Sequence, residues 1–417
     1  MQITLICCPF KTSFGSYGAS LKAAIEKKTG NPVQWVASNC GCGMVMADRR
    51  LLLADQCDYF EMLHPTDFVP SWLSWIKPQS GVSNVVSTKT WKRQLRAAAR
   101  TVFFHFRAKR YAKLSKSANV VHFQQVLGAY GADAVFNWLK EPSNATRIVT
   151  VHELDPDQLE APEMNKIYNR ADGIIVHCED MRKDLIRLNV PEKKIHLVLY
   201  GTKIPASLPD NRREGIVFYG GYNLTHNKGL DPLFKAMSII QRRMGANAPT
   251  LKIHGYYAPA LREQATLLAE EHGVANKIVW LDHLSEEDAF QLYQHSQVCV
   301  LPYTGSFAGL GASIAAACQL PVVCTRKAGL PDHLGDLGVW VEENNPEQLA
   351  ERIMELLGDD HMRQEIGARL LKRAQEFLSW DVIADRTLKI YEESTRKKAG
   401  GNTVQNTTKS SVRVDGT

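Results

Sequence analysis

Between residues 298 and 325 the sequence runs from a short apolar segment, 298–301, through small residues and glycines, 305–311, into an alanine-rich segment, 312–319. A second apolar segment follows at 321–324. The spacing predicts strand, glycine-rich loop, helix and strand, a βαβ unit. A loop that opens a helix leaves backbone N–H groups at the positive end of the helix dipole, where a phosphate can sit. The same pattern suits a tight βα turn that packs small residues against a sheet, and this stretch alone leaves both open. Phe14-Gly-Ser-Tyr-Gly18 is expected to be a loop opening a helix at about 19–28. It would let a ligand approach the backbone near Gly15 and Ser16, or only make a turn; it is not a dinucleotide GxGxxG.

Other candidate chemistry is sparse. The chain has nine cysteines. Cys7, Cys8, Cys299 and Cys324 fall in expected strands, where cysteine acts as a small hydrophobe. Cys40-Gly-Cys42 has no second pair at zinc spacing, so no metal is expected. Residues 89–116 carry ten Lys or Arg and no acid, with Trp91, Leu95, Ala98, Val102 and Phe106 at helical spacing. That pattern predicts an amphipathic basic helix or helix pair. It is either a solvated face or a contact for an anionic membrane surface or anionic acceptor; nucleic acid is a minor candidate.

The elements that would position these residues alternate. Strands are expected at 3–10, 33–37, 120–123, 147–153, 173–177 and 195–199, with helices at 19–28 and from 179. After a proline-bearing stretch, 201–212, the alternation restarts. Strands at 215–219, 250–254, 277–281, 298–301 and 321–324 are interleaved with helices, and helices at 346–357, 361–377 and 380–393 follow. Such alternation means parallel sheets covered on both faces. The length of 417 residues allows two or three domains, and 44% hydrophobic with 23% charged residues is an ordinary globular balance. The net charge of +6 is modest. No stretch is long and apolar enough to cross a bilayer, and the N-terminus lacks a basic n-region, so a cytoplasmic protein is expected.

The fold class expected is α/β, with two Rossmann-like domains facing across a cleft. The boundaries expected are 1–200 joined by the returning helix 380–395, a linker 201–212, a second domain 213–379, and a disordered tail 399–417.

Taken together, several strings resemble the GT-B glycosyltransferases, specifically the large retaining glycosyltransferase family 4, group 1. They include Thr150-Val-His-Glu153, Val190-Pro-Glu-Lys-Lys-Ile-His196, Asn227-Lys-Gly-Leu-Asp231, Leu251-Lys-Ile-His-Gly255, Ala328-Gly-Leu-Pro-Asp332 and Ser379-Trp-Asp381. The resemblance covers about residues 1–395. It implies sugar transfer from a nucleotide-sugar donor with retention, the donor on the C-terminal domain and a glycan or lipid-linked acceptor on the N-terminal one. It implies no cofactor and no metal, because basic groups and helix N-termini neutralise the leaving diphosphate. Lys228 matches the lysine that contacts the diphosphate, and His152 the histidine near the reaction centre. Gly309, Leu310 and Gly311 would present backbone N–H groups to the donor, with Gly15 and Ser16 beside the diphosphate.

The sequence departs from the family at three positions. The two family glutamates, eight residues apart, fall on Ser306 and Ile314; Ser306 keeps one neutral hydrogen bond and Ile314 none. The arginine that usually precedes Lys228 is missing, which leaves His226, Arg326 and Lys327 as candidate second cations. The reading is therefore a glycosyltransferase of lipid-linked or surface-polysaccharide acceptors, held to the inner face of a membrane through 89–116. The alternatives are a non-catalytic GT-B subunit supporting a partner enzyme, or a related epimerase or phosphorylase.

Overall fold

The computed structural model describes residues 1–7, 12–38, 59–61, 113, 116–124, 143–152, 154, 168–208, 214–221, 226–255, 257, 259–282, 284–305 and 308–410. The chain divides into two compact units. Unit 1 comprises Met1–Val176, Asp184–His196 and Ala384–Thr417; unit 2 comprises His177–Lys183 and Leu197–Ile383.

Unit 1 is built on β1 (Ile3–Cys7), β2 (Val33–Ser38), β3 (Tyr59–Glu61), β4 (Val120–Gln124), β5 (Thr146–Val151), β6 (Gly173–Val176) and β7 (Ile195–Leu197). Their order is β3-β2-β1-β4-β5-β6-β7, and the pairs from β3 through β6 are parallel. Every residue of β4, β5 and β6 is buried. β6 reads as an unbroken apolar run because both faces are covered, whereas β4 and β5 also bury His122, Gln124, Thr146, Arg147 and Thr150.

Helix α1 (Thr12–Thr29) packs on β1 and β2. It begins at Thr12, so the segment expected as a loop around Gly15 and Ser16 is helix. Tyr17, Leu21, Ala24 and Ile25 are all buried. Tyr17 therefore opens the same apolar stripe, and treating it as loop hid the first turn. Helix α2 (Glu179–Arg187) follows β6.

Unit 2 contains β8 (Ile216–Gly221), β9 (Leu251–Gly255), β10 (Ile278–Leu281), β11 (Val298–Leu301), β12 (Val322–Thr325) and β13 (Val339–Val341). They form a sheet in the order β10-β9-β8-β11-β12-β13, parallel throughout. Renumbered within its unit, this is the order of β1 to β6 in unit 1, the doubly wound pattern. Helices α3 (Leu230–Met244), α4 (Pro259–Glu271), α5 (Glu286–Gln294), α6 (Leu310–Ala317), α7 (Leu330–Leu334), α8 (Pro346–Gly358) and α9 (Asp360–Arg373) accompany it.

The proline-bearing stretch expected as a linker starts against unit 2's own C-terminal turns. Thr202 N–H donates to the Leu378 carbonyl at 2.8 Å, and Gly201 lies on the Trp380 ring. The last helix, α10 (Trp380–Ser410), buries Ala384, Thr387, Ile390, Tyr391 and Ser394 at helical spacing. In unit 1, Lys398 Nζ donates to Asp172 at 2.9 Å and Thr395 pairs with Thr146 at 2.8 Å. The backbone is helical through Ser410, within the stretch 399–417 expected as a disordered tail. Nucleation is the costly step, so packed first turns can carry a helix into weak formers.

Gly229 shows how tightly the second sheet's carboxyl edge is packed. Its φ is +71°, and an added Cβ would run into the Pro302 carbonyl oxygen. Gly229→Ala is expected to cost about 2 kcal/mol or more, read from urea unfolding; an unchanged midpoint would contradict this packing.

Candidate functional site

In an open doubly wound sheet, ligands bind beyond the carboxyl ends of the strands where the order reverses. In unit 2 that point lies between β8 and β11. Lys228 sits there, in a short 3₁₀ turn after β8, and is 5% exposed. Its ammonium is 4.3 Å from the centre of the Tyr303 ring, just past β11. The Tyr303 hydroxyl donates to the Tyr219 carbonyl at 2.5 Å. A cation over an aromatic face is attracted by the ring quadrupole.

The glycine-rich loop is tied to the same turn. Thr304 N–H and Gly305 N–H donate to the Asn227 carbonyl at 2.9 and 3.3 Å. Gly221 and Gly311 complete the arrangement around Tyr219: a Cβ on Gly221 would lie 3.4 Å from Lys228 Nζ, and one on Gly311 3.1 Å from Tyr219 Cβ. The structure thus brings Lys228, Thr304, Gly305 and Gly311 together in one unit.

Two helices begin at this edge, α3 and α6, each behind a left-handed glycine with no side-chain cap, Gly229 and Gly309. Their first turns differ. In α3 the first turn carries Asp231, and Pro232 offers no N–H. In α6 it carries no acid. Leu310, Gly311 and Ala312 therefore keep donors that no helical carbonyl takes up, at a positive dipole end. Of the two, α6 is the better anion receptor. Gly309 and Gly311 are buried and Leu310 is half-buried.

The cap itself is built by histidines. His333 lies where a Gly309 side chain would go: a Cβ there would be 2.5 Å from its Nδ1. His333 Nε2 accepts from Tyr200 N–H at 3.0 Å, and Nδ1–H donates to the Gly329 carbonyl at 2.6 Å. Ser313 Oγ–H donates to the Tyr200 carbonyl at 2.9 Å. His177 donates from Nδ1 to the Val198 carbonyl at 2.8 Å, its ring 5.1 Å from that of Tyr200. Burial pushes His177 down from 6.5 to about 3 and His333 to about 4.

In unit 1, His152 follows β5 and is 2% exposed. Its Nε2 is 3.0 Å from Gln124 Oε1, and the Tyr17 ring meets it edge-on at 4.7 Å. Gln124 ends β4, so this group lies at the carboxyl ends of the first sheet.

Several expected residues fall elsewhere. Gly15 and Ser16 lie within α1, so they are not a loop against a ligand. Ser306 lies outside the described residues, as does 89–116 apart from Lys113 and Lys116, and as do Cys40 and Cys42. Ile314 is buried in unit 2's core. Arg326 lies over the Trp340 ring at 4.4 Å, and Lys327 pairs with Glu343 at 3.1 Å, so each has its own partner. Gln124, Tyr303 and His333 were not singled out from sequence. Their roles come from contacts remote in the chain. No group of metal-ligating residues forms among the described residues.

Residues 71–203 match the family model described as Glycosyltransferase Family 4, and residues 213–359 match that described as Glycosyl transferases group 1. D-inositol 3-phosphate glycosyltransferase of Corynebacterium efficiens is 29% identical over 256 residues, 57% of this chain and 60% of that protein. An uncharacterized glycosyltransferase of Methanocaldococcus jannaschii is 31% identical over 42% of this chain and 44% of its own length. The chain thus spans about half the length of these curated relatives. Among solved structures, a glycosyltransferase from Rickettsia africae aligns with a TM-score of 0.65 at 18% identity, covering 94% of this chain and 98% of that one. Anabaena HepE in complex with UDP aligns with a TM-score of 0.67 at 12% identity, covering 94% and 100%. At these identities the likeness shows the fold, two parallel-sheet α/β domains of the GT-B class.

Because His177 and His333 are held neutral, the unfolded chain takes up their protons near pH 6.5 while the folded chain does so only near 3 and 4. Stability is therefore present above pH 6.5 and lost as pH falls toward 4, by on the order of 1 kcal/mol per pH unit per histidine. His177→Leu is expected to flatten this slope in urea unfolding between pH 7 and 5; an unaltered slope would contradict it.

Proposed function

The chain belongs to the group 1 glycosyltransferases, and from that premise we propose that it moves a sugar from a nucleotide-sugar donor to a glycan or lipid-linked acceptor with retention at the anomeric carbon. The observation that carries this is in unit 2: a buried Lys228 beside a turn hydrogen-bonded to the loop that opens α6. A diphosphate placed there takes charge from the ammonium and hydrogen bonds from the N–H groups of residues 310–312. Both grow stronger as negative charge collects on the leaving group.

The supporting comparisons include a relative named O-antigen chain mannosyltransferase B, from Escherichia coli, 31% identical over 28% of this chain and 30% of its own length. HepE was solved with UDP. A second reading, a non-catalytic subunit that supports a partner enzyme, is favoured by Ile314. A buried alkyl group stands where the family holds a carboxylate, so the ribose or sugar hydroxyl must be held otherwise.

Contact with an anionic membrane surface through 89–116 is part of the same proposal. Among the described residues no helix is long and apolar enough to cross a membrane. Replacing Arg96, Arg100, Arg107 and Arg110 with Gln is expected to abolish binding to anionic liposomes; binding that survives at low salt would refute it.

For the transfer itself, a screen of nucleotide sugars by hydrolysis and thermal shift is expected to give at least one responsive donor. Lys228→Ala is expected to weaken that donor by roughly 1.5–3 kcal/mol, about ten- to a hundred-fold. Unchanged donor affinity would remove Lys228 from the site. A complex that transfers sugar equally well with Lys228→Ala would favour the supporting-subunit reading.

A further inference from the structure

Helix α7 has five residues and cannot satisfy its own last carbonyls. Gly335, at φ +58°, turns the chain and gives its N–H to the Pro331 carbonyl. The next two carbonyls, of Asp332 and His333, are taken by Arg373, the last residue of α9. Its Nη2 donates to the Asp332 carbonyl at 2.8 Å and its Nε to the His333 carbonyl at 2.6 Å. The guanidinium lies against Gly335, where a Cβ would be 3.0 Å from Cζ, and over the Phe377 ring at 5.0 Å. Phe377 belongs to the π-helical turn Ala374–Leu378. A planar fork bonded to two successive carbonyls fixes their direction as well as their position.

His333 is held at every polar group it has. Its backbone N–H donates to the Gly329 carbonyl at 3.1 Å, and its Nδ1–H to the same oxygen at 2.6 Å. Its Nε2 accepts from Tyr200 N–H at 3.0 Å, and its carbonyl accepts from Arg373. The first two ties lie at the start of α7 and the third in the chain after β7; Arg373 holds the far end. So short a helix has little stability of its own, so a shift at its carbonyl end is not absorbed within it. The ring is fully buried, and it fills the space of a Gly309 side chain, a Cβ there being 2.5 Å from Nδ1. Gly309 is the residue on which α6 begins.

We propose that Arg373 is a positioning residue for the anion-receiving turn of α6. By fixing the carbonyl end of α7 it sets the His333 ring, and through that ring the backbone of Gly309 and the N–H groups of residues 310–312. Arg373 acts through His333 and needs no contact with the donor. Its effect on donor binding rests on the diphosphate reading above; the line from Arg373 to Gly309 rests on the contacts alone. A neutral side chain cannot supply the two charged bonds, and a lysine supplies the charge without the fork.

The test uses the full chain. Backbone amides of Gly309–Ala312 and the His333 ring nitrogens are read by ¹H–¹⁵N NMR, and affinity for UDP, GDP and ADP by calorimetry. In ligand-free Arg373→Gln the His333 ring and the Gly309–Ala312 amides are expected to shift. Affinity for whichever diphosphate binds the wild type is expected to fall roughly ten-fold, the worth of one misaligned hydrogen bond to a charged group. With a nucleotide sugar, donor KM is expected to rise to match, with kcat within about two-fold. Arg373→Lys is expected to lie between wild type and Arg373→Gln in both readouts, and it carries the test if the glutamine variant does not fold. Ile353→Ala, in the buried face of α8 and outside this set of contacts, supplies a loss of stability without touching α7. It is expected to leave the affinity and the α6 amides unchanged. Native affinity or unmoved Gly309–Ala312 amides in both Arg373 variants, or an equal loss of affinity in Ile353→Ala, overturns the proposal. If the His333 and Gly309–Ala312 signals shift as expected and the wild type binds none of the three diphosphates, the diphosphate reading falls and the positioning assignment stands.

Discussion

Gly309 holds a left-handed backbone, φ +89°, with the His333 ring pressed where a side chain would otherwise project. Much of unit 2's carboxyl edge depends on that contact. The glycine lets the chain turn sharply from the loop into α6, and the neutral histidine fills the space it leaves. The same ring accepts the Tyr200 N–H, and Ser313 on α6 donates to the Tyr200 carbonyl. The chain after β7, the cap and the helix are thereby fixed as one piece. Preorganised donors of this kind need no rearrangement when an anion arrives, and this is what makes them effective.

The two sheets share one strand order, yet their switch points carry different chemistry. The edge of unit 2 is made of glycines, aromatic rings and a buried ammonium, suited to a compact negative group. Among the described residues, the edge of unit 1 carries neutral hydrogen-bonding side chains beside a histidine, His122, Gln124 and Thr150 near His152, suited to orienting a polar group. That difference is what a charged sugar carrier and an uncharged hydroxyl acceptor would each call for. The departures from the family pattern fall on both sides of the proposed donor: Ile314 would bear on the sugar or ribose, and the missing arginine before Lys228 on the diphosphate.

Much of the architecture was legible because buried parallel strands such as β6 and β11 are short apolar runs and the helices carry a 3.6-residue stripe. Leu230, Leu233, Phe234, Met237 and Ile240 of α3 show the second pattern directly. The exception in α1 has a clear cause: two glycines three residues apart look like a loop until Tyr17 is counted with Leu21 and Ile25. The three-residue strand β3 was missed because so short a segment has no period to detect. Lys228 and the loop before α6 could be found because a lysine before glycine, and glycines before an alanine run, are local signals. Gln124 and His333 could not, because each matters through a partner brought near only by the fold. A glutamine at a strand end looks the same in sequence whether it faces water or a histidine.

The central claim is that unit 2 receives the diphosphate of its donor on the first turn of α6 beside Lys228. The most direct measurement is ¹H–¹⁵N NMR of the full chain titrated with a nucleoside diphosphate. The account predicts that the backbone amides of Leu310, Gly311 and Ala312 move farthest and saturate together with the Lys228 ammonium signal. Saturable binding that leaves those amides unmoved, with the largest changes at another helix start such as α3, would contradict it.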